Sequence, residues 1–270
     1  MPFFAYALLF LFLPSGQVMV GAFRDVDGGF TLDNLRTLFE EPYRTQFRNS
    51  IEVSLVTALL GGLLGFLIAY SAIREGTPRF IRSALTTFSA VAANFAGIPL
   101  AFAFIATLGT IGVLTTFLAD LGFNPYDHGF SLFTKTGVEL AYLYFQIPLM
   151  ILVISPAIDG LRREWREACA SLGASSFQFW RHVGVPILMP SLLSAVILLF
   201  GNSFAAYATA YGLTGGQVGL VPIYIGYLLS GDVLDNPHLG QALAVGMFVV
   251  LALMMLLYIP LQRRASRWTR

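Results

Sequence analysis

The chain alternates long apolar runs with shorter polar links. Six of these runs have about 20 residues, the length that an α-helix needs to cross the hydrocarbon core of a bilayer. They cover residues 3–23, 49–73, 83–108, 137–158, 187–213 and 241–260. The pattern predicts an all-α integral membrane protein with six transmembrane helices in one domain, residues 1–270.

The composition points to the same class of protein. Of the 270 residues, 56% are hydrophobic and 11% are charged, and the mean hydropathy is +0.72. Soluble domains have about 25% charged residues. A net charge of +1 argues against nucleic acid as a partner, and the single cysteine, Cys169, excludes an internal disulfide.

The first apolar run, residues 3–23, has two interpretations. A cleaved signal peptide has a basic segment ahead of its apolar core, and no such segment precedes this run. A membrane span is therefore favoured. Because the run begins at residue 3, the sequence leaves open whether the natural N-terminus is longer.

The distribution of arginine predicts which links face the cytoplasm. Three arginines lie in link 74–82, four in link 159–186 and four in the tail after residue 260. Links 109–136 and 213–240 together contain a single lysine and no arginine. Basic residues accumulate on the cytoplasmic side of membrane proteins. Both termini and link 159–186 are therefore predicted to be cytoplasmic, although link 24–48, with four arginines, departs from the trend.

Link 159–186, called the knob below, is a polar island between the fourth and fifth runs. Residues 161–172 are predicted to be helical, since apolar side chains recur on one face at Leu161, Trp165, Ala168 and Leu172. The opposite face is charged. The knob is expected to be a rigid surface feature rather than a loose loop.

The remainder of the knob contains helix-boundary signals. Gly173 follows the predicted helix at the place where a C-cap favours a residue that tolerates left-handed angles. Ser175 and Ser176 can cap a second short helix, which Pro186 is expected to end.

The spacing in the knob resembles the EAA loop of permease subunits of type I ABC importers. That pattern reads Glu-Ala-Ala, three residues, Gly, nine residues, Ile-x-Leu-Pro. Here Glu167, Ala168 and Gly173 match it, and Val183-x-Val185-Pro186 stands at the expected distance. Cys169 replaces the second alanine, and two valines replace Ile and Leu, which are small apolar exchanges.

The resemblance implies that the knob is a coupling helix that docks on a cytoplasmic ATPase. Arg162, Arg166 and Glu167 would supply polar contacts to the ATPase. Trp165, Ala168 and Leu172 would supply the packed face, and Gly173 would set the bend.

The resemblance also implies an assembly in the bacterial cytoplasmic (inner) membrane. Its members would be a second permease subunit, for which a paralogue is favoured, two ATPase subunits and an extracytoplasmic solute-binding protein. ATP and Mg²⁺ would bind to the ATPase partner, so no cofactor is expected in this chain.

The sequence contains no pattern of an active site. The phosphate-loop motif, the His-Glu-x-x-His zinc motif and the Gly-x-Ser-x-Gly elbow are all absent. The three histidines are scattered, so neither an enzyme nor a metal site is predicted. An ion-gradient-driven secondary transporter and a structural membrane subunit stay open as alternatives to the importer.

Polar residues inside the apolar runs are the candidates for a solute path, because such residues are costly in lipid and tend to face a bundle interior. The candidates are Asn94, Asn202, Ser203, Tyr207 and Tyr211. Hydrogen bonding between helices without solute contact is the alternative for each of them.

The segment SFAAYATAYGLTGG, followed by VPIYIGYLLSGDV, resembles the spermidine/putrescine branch of these permeases. The resemblance implies a polyamine or a similar small solute, while close relatives of the branch are linked to ferric iron, sulfate, thiamine or aminophosphonates. The acidic residues Asp232 and Asp235 would suit a polyamine, and they would equally suit a docking surface for the binding protein.

Overall fold

The structure is a computed structural model that describes residues 2–25, 27–73, 77–230 and 238–265. All the regular elements of these residues are helical, as predicted. In chain order they are α1 (Pro2–Ala7, a π-helical turn at Leu8–Phe12, and Leu13–Gly21), α2 (Asp33–Thr37), α3 (Tyr43–Ile73), α4 (Arg79–Asn94), α5 (Ile98–Leu108), α6 (Val113–Asp120), a 3₁₀ turn (Pro125–His128), α7 (Lys135–Asp159), α8 (Arg163–Ser171), α9 (Ser176–Phe204), α10 (Ala208–Thr214), α11 (Val221–Ser230) and α12 (Leu239–Ala265).

Six of the described helical segments are long and apolar enough to cross a membrane, which confirms the predicted number. They are Phe4–Gly21, Tyr43–Ile73, Ile98–Asp120, Lys135–Asp159, Ser176–Phe204 and Leu239–Gln262. The first, second, fourth and sixth segments agree with the predicted runs to within a few residues at most of their ends. The third and the fifth differ.

The predicted third span, residues 83–108, is wrong as a single helix. Helix α4 ends at Asn94 and α5 begins at Ile98. Gly97 between them has φ 77° and ψ −154°, a backbone conformation that essentially only glycine adopts. Pro99 then occupies the first turn of α5, where its missing N–H costs nothing. The segment long enough to span is Ile98–Asp120, which includes part of the predicted external loop.

The predicted fifth span, residues 187–213, is wrong at both ends. Helix α9 continues through Pro186 because a π-helical turn, Trp180–Gly184, precedes the proline, and the N–H of Val185 donates to the carbonyl of Trp180, five residues back. The proline then lies in the first turn of a restarted α-helical segment, which tolerates it. At the other end, residues 205–207 interrupt the helix before α10.

The chain divides into two compact units. The first comprises Met1–Glu52 and Val218–Leu253. Its buried core consists of Ala22, Leu38, Val221, Ala242, Leu243 and Val245. The Ser50 hydroxyl accepts a 2.9 Å hydrogen bond from the N–H of Val221, which ties the start of α3 to α11.

The second unit comprises Val53–Gln217 and Met254–Arg270, and it contains the knob. Helix α7 is its most buried element and packs against α4 and α9. Helices α3 and α7 approach each other closely at Gly61 and Gly65. A Cβ on Gly65 would lie 2.6 Å from Cβ of Met150, and one on Gly61 would lie 2.8 Å from Cβ of Gln146.

Candidate functional site: the knob and a cleft at two helix breaks

The knob folds as two short helices joined by a Schellman turn. Helix α8 begins after Arg162, whose backbone is extended, and Gly173 has φ 77°. The N–H of Ala174 donates to the carbonyl of Cys169 at 2.9 Å, and the N–H of Gly173 donates to the carbonyl of Ala170 at 2.9 Å. These are the two bonds that define this C-cap, so the predicted role of Gly173 in the bend has a direct structural basis.

A capping box begins the second knob helix. The hydroxyl of Ser175 accepts a 3.3 Å hydrogen bond from the N–H of Gln178, and Oε1 of Gln178 accepts a 2.7 Å bond from the N–H of Ser175. Each group satisfies a donor that the first helical turn leaves without a partner. Ser175 is therefore the cap, and Ser176 is the first helical residue.

The knob presents both charged and apolar side chains to its surroundings. Leu172 is 87% exposed, although leucine side chains are usually buried in proteins. Ala168 and Glu167 are also exposed. Trp165 is half-buried, and the guanidinium of Arg162 lies 5.9 Å from the centroid of its ring. Among the described residues, Ala168 and Leu172 of the predicted apolar face are thus left exposed, while Leu161 and Trp165 are partly covered.

Aromatic and ionic contacts hold the knob to the spans. The guanidinium of Arg166 lies 5.7 Å from the ring centroid of the buried Phe179. The ring of Trp180 meets Tyr70 of α3 edge-on at 4.8 Å. At the N-terminal side of the knob, the guanidinium of Arg82 pairs with the carboxylate of Asp159. The knob is therefore bound to three helices whose movement would move it.

A cleft of about 290 Å³ lies at the two helix breaks of the second unit. It is lined by Ala93, Ala96, Gly97, Phe145, Asn202, Ala205, Ala206, Tyr207, Ala208 and Thr209. Most of these residues are small, so the cleft is formed largely by backbone. No Lys, Arg, Asp or Glu belongs to this lining.

Two hydrogen bonds fix the walls of the cleft. The hydroxyl of Thr209 in α10 accepts a 2.7 Å bond from the N–H of Gly97 at the other break. The hydroxyl of Tyr142 in α7 donates a 2.8 Å bond to the carbonyl of Ala206. Because the breaks expose backbone groups that a helix would pair internally, these side chains replace part of the lost bonding.

The structure separates the residues predicted for a solute path. Asn202 and Tyr207 line the cleft, and Tyr211 stacks on Tyr207 with ring centroids 5.3 Å apart. Asn94 is exposed at the end of α4, beside the lining residue Ala93. Ser203 is 3% exposed, and its hydroxyl is 2.8 Å from that of Thr57, which is the interhelical bonding considered as the alternative.

Sequence reasoning missed Gly97 as part of this site. The signal was present, because a glycine two residues before a proline inside an apolar run is a typical helix boundary.

Asp232 and Asp235, the acidic residues considered for a polyamine or for docking of the binding protein, lie outside the described residues.

An all-helical chain with six apolar spans, an exposed two-helix knob and a cleft at paired helix breaks has the architecture of a membrane transport subunit. Discontinuous helices that line a cleft are typical of such proteins. The profile of one protein family, the binding-protein-dependent transport system inner membrane component, matches residues 61–270. The chain belongs to this family, and it is a permease subunit of an ATP-driven importer.

Individual relatives agree with this assignment. The chain is 25% identical over 272 residues to the spermidine/putrescine transport system permease protein PotB of Haemophilus influenzae, covering 98% of this chain and 93% of that protein. It is 28% identical over 212 residues to the probable sulfate transport system permease protein cysT of Nephroselmis olivacea, covering 78% and 70%.

Solved structures share the fold. A bacterial ABC transporter that imports the acidic polysaccharide alginate matches with a TM-score of 0.75 at 18% identity, covering 98% of this chain and 93% of the other. The MetNI methionine ABC transporter in inward-facing conformations matches with a TM-score of 0.55 at 17% identity, covering 84% and 99%.

Proposed function

We propose that the knob is the element through which this permease responds to ATP hydrolysis in a cytoplasmic partner. The observation that carries the proposal is the exposed face of α8, where Leu172 is 87% exposed on a helix fixed by a Schellman turn. Isolated apolar side chains are common on protein surfaces, but a rigid amphipathic helix whose apolar residues lack a cover is typical of a docking surface.

The remaining contacts suit a partner that pulls on the knob. Movement of the knob would pass to α9 through the contact of Arg166 with Phe179, to α3 through the contact of Trp180 with Tyr70, and to α4 through the pair of Asp159 with Arg82. Closure of the ATPase would therefore tilt the helices that line the cleft. Arg162, Arg166 and Glu167 would supply polar contacts at the rim of the docking surface.

The arginine distribution supports a cytoplasmic knob and cytoplasmic termini in a bacterial inner membrane. On this orientation the assembly would contain a second permease subunit, for which we favour a paralogue, two ATPase subunits that bind ATP and Mg²⁺, and an extracytoplasmic binding protein. One solved relative is an alginate ABC transporter in complex with a pentasaccharide-bound periplasmic protein, which supports partners of this kind.

We further propose that the cleft forms part of the solute path and that the solute is a polyamine or a similar small molecule. The support is the likeness to the spermidine/putrescine permease over nearly the whole chain. The sulfate permease relative makes an anion the competing class of solute.

Copurification with the ATPase tests the docking surface, and the chain supplies a matched control. Gly122 ends α6 in the same motif as Gly173, with φ 87° and 2.9 Å bonds from Phe123 to Leu118 and from Gly122 to Ala119. Neither glycine has an atom within 4 Å of an added Cβ. Gly173→Asp and Gly122→Asp therefore impose the same backbone strain of about 1–2 kcal/mol and the same charge at different places.

We expect the ATPase to copurify with wild type and with Gly122→Asp from detergent, and to be lost or to fail to respond to solute with Gly173→Asp. Glu167→Arg, which leaves the backbone unchanged, should also weaken the association. If both glycine variants behave alike, or if wild type purifies without an ATPase, the knob is not the coupling element.

A further inference from the structure

We propose that the π-helical turn Trp180–Gly184 is a hinge at which the knob rotates relative to the rest of α9, and that Trp180 is the positioning residue that passes this rotation to α3. The inference rests on the proposed function, because it takes the knob to be the coupling element. It adds the place where the movement is absorbed and the two residues that permit it, Pro186 and Gly184.

The hydrogen bonding of the turn is the first observation. The N–H of Val185 donates to the carbonyl of Trp180, five residues back, whereas an α-helix uses a spacing of four. Pro186 follows directly and has no N–H. The proline therefore removes one bond from an α-helical turn as well as from a π-helical one. The two forms have similar numbers of bonds, so their energies are close, and single π-helical turns are often found at functional sites.

The close approach of Trp180 to Gly184 is the second observation. A Cβ on Gly184 would lie 2.6 Å from Cε3 and 2.8 Å from Cζ3 of the indole ring. Side chains four residues apart occupy the same face of a helix. Glycine is therefore the residue that lets this ring rest on the backbone of its own turn. When the turn changes form, no side chain at position 184 blocks the ring.

Trp180 also connects the knob with α3. Its ring and that of Tyr70 meet edge-on, with centroids 4.8 Å apart and planes at 89°. On the knob side, the ring centroid of Phe179 lies 5.8 Å from that of Trp180, and the guanidinium of Arg166 lies 5.7 Å from the centroid of Phe179. Rotation of the knob would therefore reach the indole ring through packed side chains and change its contact with Tyr70.

The segments on either side of the turn are fixed by side-chain bonds. Before it, the capping box of Ser175 and Gln178 closes the first helical turn. After it, the hydroxyl of Ser194 donates to the carbonyl of Pro190 at 2.8 Å and is also bonded to the hydroxyl of Tyr258 in α12. Rotation of the knob would thus be absorbed between these segments, at the π-helical turn.

Replacement of the proline tests the hinge, and α1 supplies the matched control. Its π-helical turn, Leu8–Phe12, precedes Pro14 with the same spacing, and the N–H of Leu13 donates to the carbonyl of Leu8. Pro186→Ala and Pro14→Ala each add an N–H and a good helix former, which favour a continuous α-helix. Wild type and both variants would be purified with the ATPase. Hydrogen exchange of segment 177–188 would then be compared between ADP and a non-hydrolysable ATP analogue.

We expect exchange in segment 177–188 of wild type and of Pro14→Ala to change by at least about fivefold between the two nucleotides, the lower end of usual coupling between sites. In Pro186→Ala the segment should be protected equally with both nucleotides, because the α-helical form is then preferred. The Tm of this variant should not fall. Loss of the response without loss of stability separates a hinge from a merely structural role.

Gly184→Ala tests the part that Trp180 plays. The added Cβ should displace the indole ring, so the nucleotide-dependent change in exchange at the end of α3 around Tyr70 should be lost. Combination with Trp180→Phe should restore most of this change, because the shorter ring leaves room for the Cβ and keeps an aromatic contact with Tyr70.

The hinge is overturned if Pro186→Ala and Pro14→Ala behave alike, whether both respond to the nucleotide or neither does, or if segment 177–188 of wild type gives no response. A double variant that does not recover would overturn the role of Trp180. Because each sample contains the ATPase, these results leave the docking role of the knob intact. A wild type that purifies without the ATPase would instead contradict the proposed function.

Discussion

The side chain of Thr209 joins two helix breaks that are far apart in sequence. Its hydroxyl accepts a 2.7 Å hydrogen bond from the N–H of Gly97, 112 residues earlier in the chain. Thr209 is buried, so this bond has little competition from water. The side chain of Thr209 therefore links the two helix breaks directly.

Replacing this threonine with valine should destabilise the protein. Thr209→Val keeps the shape of the side chain but leaves the N–H of Gly97 without its acceptor. Because Gly97 is half-buried, we expect a cost of about 1 kcal/mol, near the lower end for an unsatisfied group. Thr209→Ser retains the hydroxyl and should recover most of the stability. Thermal unfolding of the detergent-purified protein measures both, and equal Tm values for the valine and serine variants would contradict the role of the bond.

Loss of the Tyr142 hydroxyl should have a smaller effect on stability. Tyr142→Phe removes the donor to the carbonyl of Ala206 and should lower the free energy of unfolding by about 1 kcal/mol. Tyr144→Phe is the matched control, because the ring contacts of Tyr144 with Phe95 and Phe104 would remain. Combination of Tyr142→Phe with Thr209→Val should be non-additive, because both bonds fix the same wall.

A side chain at Gly65 should separate two packed helices. The Cβ of Gly65→Ala would lie 2.6 Å from Cβ of Met150 and 2.7 Å from the carbonyl oxygen of Ile147, so α3 and α7 must move apart. Overpacking of this kind costs about 1–3 kcal/mol. Gly16→Ala, where a Cβ meets no atom within 4 Å, should leave the Tm unchanged or raise it.

The Arg82–Asp159 pair should matter more for coupling than for stability. Its two side chains are 43% and 38% exposed, so the pair contributes at most about 1 kcal/mol to folding. Arg82→Glu should reduce solute-stimulated ATP hydrolysis by the assembled importer while changing the Tm little. Arg82→Glu combined with Asp159→Arg should restore stimulation; a double variant no better than the single one would show that the pair does not transmit movement.

The knob shows how much local sequence can predict. The C-cap at Gly173 and the serine cap at Ser175 depend on residues only a few positions apart, so residue types and spacing predicted both caps correctly, although not the reciprocal bond with Gln178. The helix end at Pro186 was predicted wrongly, because proline usually ends a helix and the preceding π-helical turn, which accommodates it, gave no recognised signal.

The cleft, in contrast to the knob, could not be predicted from local sequence. Residues 83–108 and 187–213 are predominantly apolar along their whole length, and hydropathy alone cannot distinguish a continuous span from two helices that meet at a break. Ser203 and Thr209 lie close together in sequence and have similar polar side chains, yet Ser203 contacts Thr57 and Thr209 contacts Gly97. Which partner each hydroxyl finds depends on which helices become neighbours.

The sequence by itself determined the all-α membrane class, the number of spans and the form of the knob, because these follow from the length of apolar runs and from spacings within a few turns of helix. Only the tertiary structure decided which helices are broken and which polar groups meet at the breaks. The physical reason is that a backbone break at membrane depth is stable only where other helices satisfy its hydrogen bonds. Thr209 and Tyr142 do so here from positions that no local pattern connects to Gly97 or Ala206.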